Sequence, residues 1–145
     1  MNSMILRVAA QWLLPTLLLI SLLVFYRGHN HPGGGFIGGL LAASAFVLYA
    51  FAFGVEATRR QLRIDPHYLI AVGLLVAGTS MLPSLFYGLP PWTGIWTIEL
   101  GKYVSFLKQG TPVWFDLGVY LTVIGVTLLI YFSLAEDSYV EDPTN

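Results

Sequence analysis

Four long runs of apolar residues, almost free of charged side chains, constrain this sequence more than any other feature. They extend over about residues 8–26, 36–55, 68–87 and 117–135. A helix needs about 20 predominantly apolar residues to cross the hydrocarbon core of a bilayer. Each run is apolar on all sides rather than along one stripe, which is typical of a helix with no water-facing side. The sequence therefore predicts an all-α integral membrane protein with four transmembrane helices.

The composition supports one membrane domain over residues 1–145, ending in an acidic tail at 136–145. Only 10% of the residues are charged and 56% are hydrophobic, whereas a soluble domain carries roughly 25% charged residues. A net charge of −1 excludes a basic nucleic-acid-binding surface. The sequence contains no cysteine, which excludes disulfides, thiolate metal sites and cysteine nucleophiles.

The positive charges predict the orientation of the chain. Arg59, Arg60 and Arg63 lie between the second and third runs and form the only positive cluster. Loops rich in Lys and Arg stay in the cytoplasm, so we expect this loop and both termini to be cytoplasmic. Pro15 lies inside the first run and predicts a kink there.

The four runs contain no Asp, Glu, Lys, Arg or His. Proteins that move ions through their own helices place such residues at membrane depth, so this chain is not expected to transport ions by itself. Glu56 and Asp116 fall at the ends of runs. We expect Glu56 to pair with Arg60 at i, i+4 and Asp116 to cap the fourth helix. A contribution of either carboxylate to an ion route at a subunit boundary is the second interpretation.

The densest motif is a glycine-rich segment between the first two runs. Residues 28–39 contain six glycines, and Pro32 followed by three glycines predicts a tight turn, since glycine adopts positive φ readily. The spacing Gly33-x-Gly35-x-x-Gly38 matches a dinucleotide-binding fingerprint. That fingerprint requires a preceding strand and a soluble βαβ unit, which two flanking membrane-length runs do not allow.

Small residues recur every four positions at the start of the second run. Two such ridges run side by side: Gly34, Gly38 and Ala42, and Gly35, Gly39 and Ala43. Shorter ones occur on the third and fourth runs, at Gly73 and Ala77 and at Gly118, Thr122 and Gly125. Ridges of this kind allow the close approach of another helix. Because four helices do not need so much small surface among themselves, we favour a neighbour in another subunit.

Two other features carry no predicted chemistry. His29 and His31 lie in the glycine segment, but a metal site needs three or four donors and His67 falls on the opposite side of the bilayer. We expect no metal, no cofactor and no catalytic residue. Trp92, Trp96 and Trp114 lie in the long connection before the fourth run. Since tryptophan prefers the headgroup level, the segment 92–107 is interpreted as an interfacial segment or as an ordinary loop with aromatic anchors.

The glycine segment resembles the characteristic motif of the MrpB/MnhB family, whose members are subunits of the Mrp-type multisubunit sodium–proton antiporters. The length and the four helices are also similar. The matching positions are Gly28, His29, Asn30, Pro32, Gly33, Gly34, Gly35, Phe36, Gly38, Gly39 and Leu40.

The resemblance implies a small subunit of a bacterial inner-membrane complex that exchanges Na⁺, or another monovalent cation, for H⁺ and supports pH homeostasis. Its partners would be the other antiporter subunits and the lipid bilayer, and the ion paths would run mainly through the large subunits. This chain would then serve assembly or coupling, with residues 32–39 as a packing hinge. Two alternatives stay open: an MnhB-like module of a membrane-bound hydrogenase or another complex I-related assembly, and a structural membrane protein without a transport role.

Overall fold

The computed structural model describes residues 3–28, 34–90 and 110–140. Helices account for 88% of these residues, and no strand occurs among them. The predicted all-α class is confirmed. The helices are α1 (Met4–Arg27), α2 (Gly35–Phe53), α3 (Val55–Leu62), α4 (Pro66–Thr79), α5 (Leu82–Phe86) and α6 (Thr111–Val140).

Four helical segments are long and apolar enough to cross a membrane, as the sequence predicts. They are Met4–Arg27, Gly35–Phe53, Pro66–Phe86 and Thr111–Val140. The third consists of α4 and the short α5, which are separated at Ser80 and Met81. Pro83 near the start of α5 has no N–H with which to continue the α4 hydrogen-bond ladder. The chain is therefore a multi-pass membrane protein.

The long helices lie in the spatial order α1, α2, α6, α4. Helix α2 contacts both α1 and α6, and α6 contacts α4. Neighbours α1 and α2 are antiparallel, α2 and α6 are parallel, and α6 and α4 are antiparallel. The two central helices bury 44% and 33% of their apolar windows, against 22% and 17% for the outer ones. Leu128 and Phe132 of α6 are completely buried, so the core lies along the α2–α6 pair.

A glycine separates α2 from α3. The second predicted span continues through Val55, but α2 ends at Phe53 because Gly54 adopts φ 90° and ψ 164°, which no helix contains. No atom lies within 4 Å of a Cβ placed on Gly54, so glycine is needed there for its backbone angle rather than for space. Helix α3 then ends at Leu62, and its C-cap Arg63 has a left-handed φ of 64°.

The fourth span begins earlier and ends later than predicted. Helix α6 begins at Thr111 rather than at about residue 117, with Pro112 in its first turn, where a missing N–H costs nothing. Asp116 therefore lies in the second turn, and the prediction that it caps this helix is wrong. Trp114, predicted in the preceding loop, is also helical. The helix continues through Val140, into the predicted acidic tail.

The bundle has two ends that differ in chemistry. The glycine end is formed by the end of α1 and the starts of α2 and α6, with Gly34 and Asp116. The arginine end is formed by α3, the start of α1 and the end of α6. There the Arg7 guanidinium carbon lies 5.6 Å from the centre of the Phe53 ring. Both the start of α1 and the end of α6 thus lie at the arginine end.

Candidate functional site: the glycine segment

The structure describes part of the predicted packing motif. Gly28 is the C-cap of α1, and α2 begins just after Gly34. Four further members lie in the first turns of α2: Gly35, Phe36, Gly38 and Gly39. His29, Asn30, Pro32 and Gly33, together with the neighbouring His31, lie outside the described residues, as do Trp92 and Trp96 of the predicted interfacial segment.

Gly34 links the two helices that it separates. It has φ 96° and ψ −159°, a backbone conformation that residues with a side chain rarely adopt. Its N–H donates to the carbonyl oxygen of Val24 in the last turn of α1, with an N···O distance of 3.4 Å. The positive φ predicted in this segment is therefore observed at Gly34, and the start of α2 is tied to the end of α1.

The start of α2 lies directly against the second turn of α6. A Cβ placed on Gly35 would overlap the backbone oxygen of Asp116 and would lie 2.7 Å from its carboxylate Oδ1. A Cβ on Gly34 would lie 3.0 Å from Oδ2 of the same residue. Because atoms of α6 fill the volume that side chains would occupy, only glycine fits at position 35.

The next turn of α2 repeats this close approach on two sides. A Cβ on Gly38 would lie 3.0 Å from the backbone oxygen of Ser21 in α1. A Cβ on Gly39 would lie 2.9 Å from the backbone oxygen of Tyr120 and 2.9 Å from the Cβ of Val123 in α6. At this level Gly38 therefore receives the backbone of α1, and Gly39 receives that of α6.

A buried hydrogen-bond chain crosses the three helices at this level. The Ser21 hydroxyl donates to the carbonyl oxygen of Gly38 at 2.8 Å and lies 2.7 Å from the Tyr120 hydroxyl. Since serine has one hydroxyl hydrogen, the Tyr120 hydroxyl donates to Ser21. Ser21 is completely buried and Tyr120 is 8% exposed. These bonds therefore give each buried polar group a hydrogen-bond partner, which lipid cannot supply.

This hydrogen-bond chain was not predicted from the sequence. Ser21 is the one hydroxyl residue in the apolar second half of α1, between Leu17 and Tyr26, and that isolation was the available signal. The Phe25 and Tyr120 rings also contact each other, with centroids 5.2 Å apart. Helices α1, α2 and α6 therefore meet at one point beside Gly38.

The neighbours of these glycines belong to the same chain. The sequence favours another subunit as the neighbour, but the structure places α1 and α6 against Gly34, Gly35, Gly38 and Gly39. The reason is that α2 is central and its two ridges face both flanking helices. The two residues that separate Gly35 from Gly38 in the sequence point outward, with Phe36 57% and Ile37 50% exposed. Contact of the segment with another subunit stays a prediction.

The shorter small-residue ridges also pack within the chain, where they join α4 to α6. A Cβ on Gly118 would lie 2.6 Å from the backbone oxygen of Gly73, and one on Gly73 would overlap the Thr122 hydroxyl. A Cβ on Gly125 would lie 2.9 Å from the backbone oxygen of Pro66. Close backbone contact thus continues along the whole α4–α6 interface.

The two predicted boundary carboxylates lie at opposite ends of the bundle. Asp116 is at the glycine end, whereas Glu56 is in the first turn of α3 at the arginine end. The Glu56 carboxylate accepts from the Arg60 guanidinium at 2.9 Å, so the predicted i, i+4 pair is confirmed. Glu56 also lines a groove of about 450 Å³ with Arg59 and Glu136. Within the described residues, the structure does not bring Glu56 and Asp116 together.

Arg59 connects α3 to the end of α6. Its guanidinium donates to the Glu136 carboxylate at 2.9 Å and lies 4.7 Å from the centre of the Phe132 ring. The side chains of Arg59 and Glu136 are 36% and 56% exposed. Such a pair contributes little to stability because water and salt screen it.

His67 pairs with a neighbouring carboxylate. The carboxylate of Asp65 accepts from the His67 backbone N–H at 2.9 Å and lies 2.7 Å from the ring Nδ1. These two hydrogen bonds hold the pKa of Asp65 below its ordinary value of 3.8. In the part of the chain that the structure describes, no group of three or more His, Asp or Glu side chains converges.

Comparisons of the sequence with known proteins identify related proteins. A family model described as "Domain related to MnhB subunit of Na+/H+ antiporter" matches residues 5–129. A Staphylococcus aureus (strain Newman) protein named "Putative antiporter subunit mnhB2" is 35% identical over 134 residues, which cover 92% of this chain and 95% of the relative. The proteins of the same name from strains JH1 and COL match with the same identity and coverage.

Proposed function

We propose that this chain, which belongs to the MnhB family of Na⁺/H⁺ antiporter subunits, is a small multi-pass subunit of a multisubunit antiporter in the bacterial inner membrane. It exchanges no ion alone and performs no catalysis; it serves assembly or coupling of the complex. The observation that carries this proposal is the similarity to antiporter subunits over 92% of the chain.

The distribution of charge supports a role beside the ion path rather than in it. Between Arg7 and Arg27 in α1, along all of α2, and between Asp116 and Glu136 in α6, there is no Asp, Glu, Lys, Arg or His. Residues of these types are what carry protons and cations through a bilayer. The transported Na⁺ and H⁺ would therefore cross the membrane through partner subunits.

A pull-down tests the proposed assembly. The tagged chain is extracted from its native membrane in mild detergent, and the co-purifying proteins are identified by mass spectrometry. We expect large multi-span antiporter subunits and no redox proteins. Recovery with iron–sulfur subunits would instead assign the chain to a hydrogenase-type complex. Recovery alone, in a detergent that preserves other membrane complexes, would contradict the proposal.

The motif of the glycine segment would act by shaping the subunit that its partners recognise. Gly34→Leu and Gly38→Leu each place a side chain against α6 or α1, so we expect both variants to lose the complex and its antiport activity. Gly78→Leu is the matched control, because no atom lies within 4 Å of a Cβ on Gly78. Wild-type amounts of intact complex in the Gly34 and Gly38 variants would disprove this role.

The boundary carboxylates have a separate test. A Glu56→Gln, Asp116→Asn double variant removes both negative charges and keeps side chains of similar size. If either carboxylate contributes to an ion route at a subunit boundary, antiport falls while the amount of assembled complex stays constant. Unchanged antiport would remove both residues from the proposed route.

We also propose an orientation. Because Arg-rich loops favour the cytoplasmic side, Arg59, Arg60 and Arg63 support an arrangement in which the arginine end and both termini are cytoplasmic. The chain has no cysteine, so Ser3→Cys and Ser138→Cys introduce single labelling sites at the arginine end. We expect an impermeant thiol reagent to label them in inverted membrane vesicles and not in intact cells. Labelling in intact cells would show that the chain has the opposite orientation.

A further inference from the structure

A groove is formed by residues of α1, α2 and α3. It has a volume of about 370 Å³ and is lined by Gln11, Leu14, Pro15, Leu18, Tyr49 and Gln61. The α1 members follow the i, i+3, i+4, i+7 spacing of one helix face. At 1.5 Å per residue, the groove extends from about 10 to about 20 Å along α1 from Met4. It therefore starts near the arginine end and continues to membrane depth.

The groove carries polar groups that the protein does not satisfy. Among the described residues, no hydrogen bond joins the side chains of Gln11, Tyr49 or Gln61 to another protein group. In addition, Pro15 has no N–H, so the carbonyl oxygen of Gln11 lacks its usual helical donor. Unsatisfied polar groups are costly in hydrocarbon. A bound molecule that supplies hydrogen-bond partners at the polar part of the groove removes that cost.

Charge and polarity change in one direction along the groove. Arg7 precedes Gln11 by one helical turn on the same face of α1, and its guanidinium lies near Phe53 at the end of α2. Beyond the two glutamines the lining becomes apolar, at Leu14, Pro15 and Leu18. This order, from a cation through amides to an apolar surface, complements the order of phosphate, ester carbonyls and acyl chain in a phospholipid.

We propose that this groove is a binding site for one phospholipid molecule. The amides of Gln11 and Gln61 donate to ester oxygens, and an acyl chain lies along Leu14, Pro15 and Leu18. The Arg7 guanidinium keeps its contacts within the chain, including the Phe53 ring, and adds positive charge on the side of the phosphate. The proposal does not depend on the antiporter function, because it uses only the contacts and polarity of this chain. The bound lipid would fill the space between α1 and α2 on the arginine-end side of the glycine segment.

Native mass spectrometry of the full chain tests this site. The protein is purified in mild detergent, titrated with phosphatidylglycerol and, separately, with diacylglycerol, and retained lipid is counted. We expect one phosphatidylglycerol to bind at least tenfold more tightly than diacylglycerol, which lacks the phosphate. Equal retention of the two lipids would contradict the proposed role of Arg7 and the amides.

A matched pair of variants locates the site. Leu18→Trp fills the groove, whereas Leu19→Trp adds the same bulk at a neighbouring position that is 64% exposed. We expect at least a tenfold loss of phosphatidylglycerol affinity in the first and less than a twofold change in the second. Gln61→Leu, on the exposed surface of α3, should lower the affinity without any change in the core. Equal lipid binding in all three variants would overturn the proposal. It would also be overturned if Leu18→Trp lost a co-purifying polypeptide while it retained the lipid, because the groove would then bind a protein.

Discussion

At the glycine end, backbone atoms of α6 and α1 approach residues that have no side chain, whereas at the arginine end charged side chains connect α3 to α6 near the surface. Gly35 lies against the backbone oxygen of Asp116. Arg59 reaches the half-exposed Glu136 over 2.9 Å. The first contact depends on volume and the second on charge.

The difference decides which end tolerates change. A side chain added between close-packed backbones has nowhere to go, and the helices must separate. When an exposed ion pair is broken, water replaces its hydrogen bonds, so the loss of the pair costs little stability. The glycine end should therefore determine whether the fold forms, and the arginine end should adjust its stability only slightly.

Gly35→Leu should have the largest effect. Its Cβ alone would overlap the Asp116 backbone oxygen, and we expect a loss of about 3 kcal/mol or more in the free energy of unfolding. The measurement is thermal unfolding in mild detergent, with the yield of monodisperse protein. Gly78→Ala is the control and should be neutral or stabilising by about 0.5–1 kcal/mol, since alanine is the better helix former. If Gly35→Leu were as stable as the control, close steric packing would not distinguish the glycine end from the arginine end.

Ser21→Ala should have the next largest effect. It leaves the buried Tyr120 hydroxyl without its acceptor, which costs about 1–3 kcal/mol. Tyr120→Phe removes the same bond but leaves Ser21 bonded to Gly38, so we expect a smaller loss of about 1 kcal/mol. In a double-mutant cycle the combined variant should lose less than the sum. Strict additivity would show that the two hydroxyls do not interact.

Glu136→Gln at the arginine end should change the free energy of unfolding by less than about 1 kcal/mol. The difference from wild type should shrink further as the salt concentration rises, because the pair is partly exposed and screened. Unfolding measured at low and high salt checks both statements. A loss as large as that of Ser21→Ala would show that the arginine end is as important as the glycine end.

The smallest expected effect is a pH dependence at the start of α4. The pKa of Asp65 is lowered in the folded chain by its hydrogen bonds with His67. The ionised Asp65 carboxylate therefore stabilises the folded chain fully at pH values above its ordinary pKa of 3.8. This stabilisation is lost as the pH falls through the lower pKa of the folded state. Asp65→Asn should lack this acid-dependent component, as measured by unfolding between pH 6 and pH 3. An identical pH profile in both proteins would contradict it.

The sequence predicts the number of spans well because membrane-length apolar runs have few alternative structures. It predicts the positions of helix ends less well. The second helix stops at Gly54 through a backbone angle that no pattern of hydrophobicity encodes, and α6 begins six residues early because Pro112 opens a helix that Trp114 and Asp116 continue. Residues classed as loop by their polarity are thus helical.

The small-residue ridges were visible in the sequence, but their neighbours were not. A spacing of four marks one face of a helix and does not say which helix covers that face. The parallel register of α2 and α6, which brings Gly35 to Asp116 and Gly39 to Tyr120, arises from tertiary packing. The Ser21–Tyr120 hydrogen bond depends on the same register, across 99 positions of the sequence, and was therefore not predictable.

Photocrosslinking can decide whether helices of the same chain fill the space around the glycine segment. Phe25→p-azidophenylalanine places a short-range reactive group beside Gly38 and the Tyr120 ring. After irradiation of native membranes, we expect crosslinks to the stretch around Tyr120, in a product with the mass of a single chain. A dominant crosslink from this position to a second polypeptide would contradict packing within the chain and return the glycine ridges to a subunit interface.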